Sequence, residues 1–353
     1  MNKESWMRGL VYFSSNRKSK SSRADENPKW VRLIAIVITL AICGTVAHAQ
    51  QPKNIPRIGL LSALSPSAVS PWVQAFRQGL SDRGFVEGKN ILIEYRYAEG
   101  KVDHLKELAD ELVRIKVDVI VTGGALTTSR VKEATSTIPI VMAQDADPVG
   151  SGIIASLARP GSNITGLSFM SPEITGKRLE LLKETVPGLT RVAVLTAERN
   201  PADSETAREL QGAARALEVK LQILHGRNPN QIDGAFSAMT KEHAGAFMVI
   251  TSPVLSENRA RILNYAVKTR LAATYPNESW VQSGGLMTYG TNLADLWRRA
   301  AVYVDKILKG TKPADLPVEQ PTKFDFIINL KAAKQIGLTI PPNVLARADK
   351  VIK

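Results

Sequence analysis

The chain has 353 residues, of which 44% are hydrophobic, with one cysteine and a formal net charge of +13. Such a length suits two modest domains better than one large core, and a single cysteine excludes a disulfide framework. The positive balance favours anionic surfaces in principle. Here the charges are spread along the chain with no basic block after residue 50, which points to a solvated basic surface instead.

Residues 1–28 are rich in Ser, Lys and Arg and read as disordered. Lys29 and Arg32 then precede an apolar run, residues 33–49, that closes on Ala47-His48-Ala49. Small residues stand at the two positions a signal peptidase reads, so this is the pattern of a secretory signal. Cleavage is predicted after Ala49, and the mature chain is expected in the periplasm. The competing reading is a retained membrane anchor, but the run is short for a span needing roughly 20 residues. Polar Gln50, Gln51, Pro52 and Lys53 follow it. Lipid attachment at Cys43 is opposed by Ile42, which is too large for the residue before a lipidated cysteine. Residues 1–49 hold eight Lys/Arg and three Asp/Glu, so +8 of the +13 remains after cleavage. The only cysteine leaves with the signal, and burial alone must hold the mature fold.

After Pro56, short β-branched runs alternate with amphipathic stretches. Residues 57–62 predict a strand, and a helix follows from Pro71 to Arg83 with Val73, Phe76 and Leu80 on one face and Gly84 as its stop. A strand over 91–97 leads to a helix from His104 to Ile115, with Leu105, Leu108 and Leu112 in register. Residues 117–122 form a third strand, Gly123-Gly124 turns it into a helix over 127–134, and 138–142 form a fourth strand. Residues 145–163 read as a loop, followed by a short strand over 164–168 and a helix over 173–185. The alternation restarts with a strand over 191–195, a helix over 203–217 and a strand over 220–224. A helix over 230–242, a strand over 246–251, a helix over 255–270 and a strand over 272–275 follow. Helices alternating with apolar strands indicate parallel sheets covered on both faces.

The fold class expected is therefore α/β, with two Rossmann-like lobes built on parallel sheets. Lobe 1 is assigned to residues 50–168 and lobe 2 to 169–290. The tail, 291–353, offers a helix over 294–308 and a strand over 324–328, too little for an independent core. It must return to the lobes, so the chain is expected to cross between them more than once and form a hinge.

In open parallel sheets, ligands lie beyond the carboxyl ends of the strands, where helix N-termini favour anions such as a carboxylate. Ser62 ends the first strand. Thr127 and Thr128 follow the third, after two glycines that let backbone approach a ligand. Thr251 and Ser252 follow a second-lobe strand, and Asn277 and Glu278 follow the next. Thr127, Thr128 and Ser252 also fit plain helix caps. Glu278 fits either a partner for a ligand ammonium or a surface position. Trp72 and Trp280 fit either ring stacking or packing.

Signals for catalysis are poor. His48, His104, His225 and His243 are scattered, and no His-Glu-x-x-His or paired-cysteine motif exists, so no metal site is expected. Gly166-Leu167-Ser168-Phe169-Met170 lacks the second glycine of a nucleophile elbow. Gly123-Gly124 is not a full dinucleotide fingerprint, and no Walker lysine follows it. No cofactor is expected.

Several stretches together carry a resemblance. They are Asp147-Pro148-Val149-Gly150-Ser151-Gly152, Leu157 to Ser168, Lys177 to Glu184, Gly284 to Gly290, Leu316 to Lys323 and Gly337 to Pro342. The chain resembles a large bacterial family of ABC-transporter substrate-binding proteins, whose better-understood relatives are similar to tryptophan/tyrosine-binding lipoproteins. The resemblance implies a two-lobed type I periplasmic-binding-protein fold and places Asp147 at the ligand cleft. It also implies a contact at Asn200. Many members carry Asn-Pro directly after the strand that opens the second lobe, whereas here Thr196 to Arg199 come before Asn200-Pro201.

The function expected is the extracytoplasmic solute-binding component of an ABC importer. It would bind a small solute, an amino acid or other small carboxylate, and deliver it to a membrane permease powered by a separate ATPase. It is expected to be a monomer, to bind no nucleic acid and to catalyse nothing. A ligand-sensing subunit for a membrane receptor and a secreted hydrolase are the alternatives. A cytosolic repressor of the same fold would need an N-terminal DNA-binding helix pair, where the signal stands.

Overall fold

The computed structural model describes residues 55–169, 173–197, 205–321 and 323–353. The leader, residues 1–49, and Asn200 lie outside the described residues. Lobe 1 comprises β1 (Arg57–Ser62), α1 (Pro66–Ser81), β2 (Leu92–Tyr97), α2 (Leu105–Arg114), β3 (Val119–Gly123), α3 (Ala125–Ala134), β4 (Ile140–Asp145) and β5 (Ile164–Ser168). The five strands form a parallel sheet in the order β2-β1-β3-β4-β5. Every residue of β4 and β5 is buried, as expected of strands with helices or loops on both faces.

Helix α1 starts at Pro66, earlier than the periodicity indicates, and Pro71 lies inside it. Pro66 suits the first helical turn, where no backbone N–H is needed. Pro71 forfeits one main-chain hydrogen bond, which burial of Val69, Trp72, Val73, Phe76 and Leu80 on one face outweighs.

Lobe 2 begins with α4 (Glu173–Thr185), β6 (Arg191–Thr196), α5 (Glu205–Ala216), β7 (Lys220–His225), α6 (Pro229–Lys241) and β8 (Ala246–Val249). It continues with α7 (Pro253–Glu257), α8 (Arg259–Thr269), β9 (Ala272–Tyr275), α9 (Glu278–Gln282) and β10 (Met287–Gly290). The single helix expected over 255–270 is thus two. Asn258 lies at the break, where its side-chain amide donates to Val254 O at 2.9 Å alongside the main-chain bond from Asn258 N at 3.2 Å.

The tail serves both lobes. Helix α10 (Leu293–Leu308) packs on α1 and β4 of lobe 1. Contact with α1 is close: a Cβ at Gly79 would stand 2.3 Å from Arg298 O. Thr165 Oγ1 then donates to Leu316 O at 2.6 Å and Ser168 N to Glu319 O at 2.9 Å, tying the next segment to β5. From there the chain returns to lobe 2 as β11 (Asp325–Asn329), α11 (Leu330–Ile336), α12 (Pro342–Leu345) and β12 (Lys350–Ile352). The lobe 2 sheet has the order β12-β11-β10-β9-β8-β6-β7, and β10 with β11 is the antiparallel pair. The chain passes between lobes after β5, after β10 and after Glu319. Among the described residues, no helix is long and apolar enough to cross a membrane.

Candidate ligand-binding cleft

The carboxyl ends of both sheets face one cleft with about 80 Å³ of free internal volume. Lobe 1 contributes Ala63 and Leu64 after β1, Trp72 on α1, Gly123 ending β3 and Gly124 after it, Gln144 on β4 and Phe169 after β5. Lobe 2 contributes Ile174 and Arg178 on α4, Thr251 to Pro253 and Ser256 after β8, and Pro276 and Asn277 after β9. Thr291 and Leu293, at a crossing between lobes, complete the wall.

Arg178 is the one cationic side chain of this lining. It is 3% exposed, and its guanidinium donates through Nε to Tyr289 O and through Nη2 to Pro276 O, both at 2.6 Å. Among the described residues it forms no ion pair. Burial lowers its pKa to about 10, so it stays charged at neutral pH. Gly290 makes room for it: a Cβ there would lie 2.9 Å from Nη2. A buried guanidinium held in a fixed fork without a carboxylate is poised for an anion.

Gln144 is fixed from behind. Its Oε1 accepts from Trp297 Nε1 at 3.1 Å, and Trp297 stacks on Trp72 with ring centroids 6.4 Å apart. Gly123 is required here, since a Cβ would lie 2.8 Å from the Trp297 ring. Asn277 caps α9, with Oδ1 accepting from Ser279 N at 3.1 Å and Ser279 Oγ at 2.7 Å. Thr291 Oγ1 donates to Phe169 O at 2.6 Å, joining two of the crossings. A further bond links the lobes directly: Ser65 N, at the start of α1, donates to Glu257 Oε1 at 2.7 Å.

Of the residues singled out from the sequence, Thr251, Ser252 and Asn277 line the cleft. Ser62 lies behind it, 2% exposed, with Oγ accepting from Leu64 N at 3.1 Å. Thr127 and Thr128 are buried within α3, and Thr128 Oγ1 shares a hydrogen bond with Thr122 Oγ1 at 2.8 Å. Asp147 closes a turn through Gly150 N at 2.8 Å. Glu278 accepts from Gln282 Nε2 at 2.9 Å and pairs with Lys350. Trp280 is 1% exposed and stacks on Tyr275, so it packs the core, whereas Trp72 faces the cleft.

Arg178 and Gln144 were not singled out for binding. Arg178 sits mid-helix and Gln144 within an apolar strand, and nothing in local spacing separates them from surface positions. A polar residue interrupting the apolar run of β4 was the available signal. Asp145, next on that strand, is 0% exposed, and no hydrogen bond of normal geometry reaches either carboxyl oxygen. Burial raises its pKa to about 7, partly offset by the nearby Thr128 hydroxyl. Among the described residues, no group of three or more His, Cys, Asp or Glu is placed to hold a metal ion.

The family model described as ABC transporter substrate binding protein matches residues 57–352. A tyrosine-binding protein of Clostridioides difficile is 26% identical over 309 residues, covering 81% of this chain and 82% of that protein. A crystal structure of a conserved domain protein from Vibrio cholerae superposes with a TM-score of 0.77 at 27% identity, over 84% of this chain and 100% of that one. An ABC domain from Streptococcus pneumoniae in complex with L-Trp gives a TM-score of 0.76 at 24% identity, over 84% and 99% of the two chains.

Proposed function

The chain belongs to the ABC transporter substrate-binding protein family, and from that premise we propose that it captures a small carboxylate-bearing solute between its lobes for a membrane permease. Members of this family bind their substrates and are not enzymes. Arg178 is the observation that carries the ligand class. It is buried in the cleft wall, pinned by two carbonyls and unpaired with any acid among the described residues. A ligand carboxylate would complete it. Trp72, Phe169 and Leu293 supply an apolar wall opposite. The relatives' ligands, tyrosine and L-Trp, carry both features.

Closure follows from the geometry. A ligand that touches Arg178 in lobe 2 and Trp72 in lobe 1 favours the state in which both reach it. In this reading the protein acts outside the cytoplasm, as a monomer, after removal of residues 1–49. The closed form docks on the permease, and a separate ATPase supplies the energy.

Melting-temperature shifts of the purified protein with small carboxylic acids and amino acids test the binding step. One chemical class should raise the midpoint, and Arg178→Gln, checked for native circular dichroism, should abolish the rise. A folded Arg178→Gln that responds like the parent would refute the site. Loss of uptake of that compound on deleting the gene tests delivery.

A further inference from the structure

Asn277 lines the cleft just after β9, and its backbone and side chain are fixed by separate sets of bonds. Pro276 O accepts from Arg178 Nη2 at 2.6 Å and Tyr275 O from Thr288 Oγ1 at 2.7 Å, so the backbone leading into Asn277 is held from within lobe 2. On the side chain, Oδ1 accepts from Ser279 N at 3.1 Å and from Ser279 Oγ at 2.7 Å. Ser279 Oγ in turn accepts from Arg259 Nη1 at 2.9 Å. The direction of this chain is settled by its first member. A guanidinium only donates, so the hydroxyl it reaches turns its own proton to Asn277, which presents its oxygen there.

Arg259 opens α8, is half-buried, and is not among the residues that line the cleft. Burial lowers its pKa and the nearby Glu257 carboxylate counters that, and a guanidinium stays protonated at neutral pH. Capping of α9 requires only the bond from Ser279 N, which Asp or Ser at this position could equally accept. The bonds from the hydroxyl and the guanidinium go beyond capping. They set the amide plane, with Oδ1 toward α9 and the N–H₂ on the opposite arm. Aligned from a cation, hydrogen bonds also polarise one another, which makes the far N–H a stronger donor.

We propose that Arg259 is a positioning residue of the binding site: acting through Ser279, it holds the Asn277 amide so that the N–H₂ meets an acceptor oxygen of the bound solute. This rests on the reading that the cleft is the ligand site. Two arginines then serve one corner differently. Arg178 stands in the cleft wall and carries the Pro276 carbonyl, whereas Arg259 acts from behind, and its charge stays outside the lining.

The test is a double-mutant cycle read by titration calorimetry with tyrosine, tryptophan, phenylacetate and indole-3-acetate as probes. Arg259→Met keeps the aliphatic stem and removes the donor, and Ser279→Ala breaks the chain one bond nearer the cleft. Each should weaken the tightest probe about five- to tenfold, the scale of one hydrogen bond, and Arg259→Lys should recover part of the loss. In an Asn277→Ala background, Arg259→Met should cost nothing further, which a purely structural role for Arg259 would not produce. Without any probe, the NMR signal of the Asn277 side-chain amide, identified by its loss in Asn277→Ala, should move in both single variants. Folded Arg259→Met and Ser279→Ala proteins that bind like the parent, or losses that add in the double variant, would overturn the proposal. If Arg178→Gln still abolishes binding in that case, the cleft stands and only the positioning role is removed. An unmoved Asn277 signal would overturn it as well. Silence of the parent toward all four probes would remove both the positioning role and the proposed cleft ligand.

Discussion

Replacing Glu257 tests whether closure of the lobes is held by the bond across the cleft mouth. Glu257 Oε1 accepts from Ser65 N at 2.7 Å, and the two residues lie on opposite lobes. The bond is charge-assisted and aimed at the N-terminus of α1, where negative charge is favourable. Hydrogen bonds to a charged group contribute about 1.5–3 kcal/mol, and partial exposure of Glu257 reduces that toward about 1–2 kcal/mol. Opening the lobes breaks this contact and leaves most of each lobe intact. Glu257→Ala should therefore lower the closed-to-open ratio by roughly 5- to 30-fold. Any ligand that needs the closed state would lose apparent affinity by up to the same factor, the larger loss applying when closure is itself unfavourable. Fluorescent pairs attached through cysteines at Val86 and Val267, exposed positions on the two lobes, report the separation directly. Glu257→Gln keeps an acceptor and should fall between the parent and Glu257→Ala. If Glu257→Ala leaves both the inter-lobe distance and the affinity unchanged, the contact does not hold the lobes together.

Further outcomes follow from close packing and from buried charge. Gly79→Ala forces a Cβ into Arg298 O and Ala301 Cβ, so it should separate α1 from α10 and destabilise by about 1–3 kcal/mol in urea unfolding. Trp297→Phe removes the donor to Gln144 and part of the stack on Trp72, at about 2–4 kcal/mol, and should weaken ligand binding as Gln144 loses its support. Asp145 sets a pH dependence whose sign is definite. Its folded pKa, about 7, lies above the unfolded value, so between these pH values the native state holds the extra proton. Stability should then fall as pH rises from about 4 to 7, and Asp145→Asn should flatten that slope and stabilise the protein at pH 8 by up to about 4 kcal/mol. Thermal unfolding of parent and variant across pH 4–8 decides this, and parallel curves would contradict it.

Much of the architecture was legible because parallel strands buried on both faces leave unbroken apolar runs. Val119 to Val121 and Ile140 to Met142 are such runs, and the structure places both inside the lobe 1 sheet. Some short elements were not legible. Helix α9 and strands β10 and β12 have five residues or fewer, below the length at which a period can be read, and tertiary pairing stabilises them. The break at Asn258 was hidden for a related reason, because apolar spacing continues through it.

The cleft was legible only in part. Strand ends pointed to Thr251, Ser252 and Asn277, since parallel topology puts every such end on one side. For Thr127, Thr128 and Ser62 the same logic selects the right strand ends, yet their side chains turn into lobe 1. Arg178 lies on α4, which follows the first crossing, and no local pattern distinguishes it from Lys177 beside it. Residue order alone determined two α/β lobes and the tail's dependence on them, because periodicity and burial are local properties of the chain. The tertiary structure decided which polar groups meet in the cleft and which atoms remain free to bind. Those depend on partners as distant as Gln144 and Trp297, brought together only when the last crossings fold back.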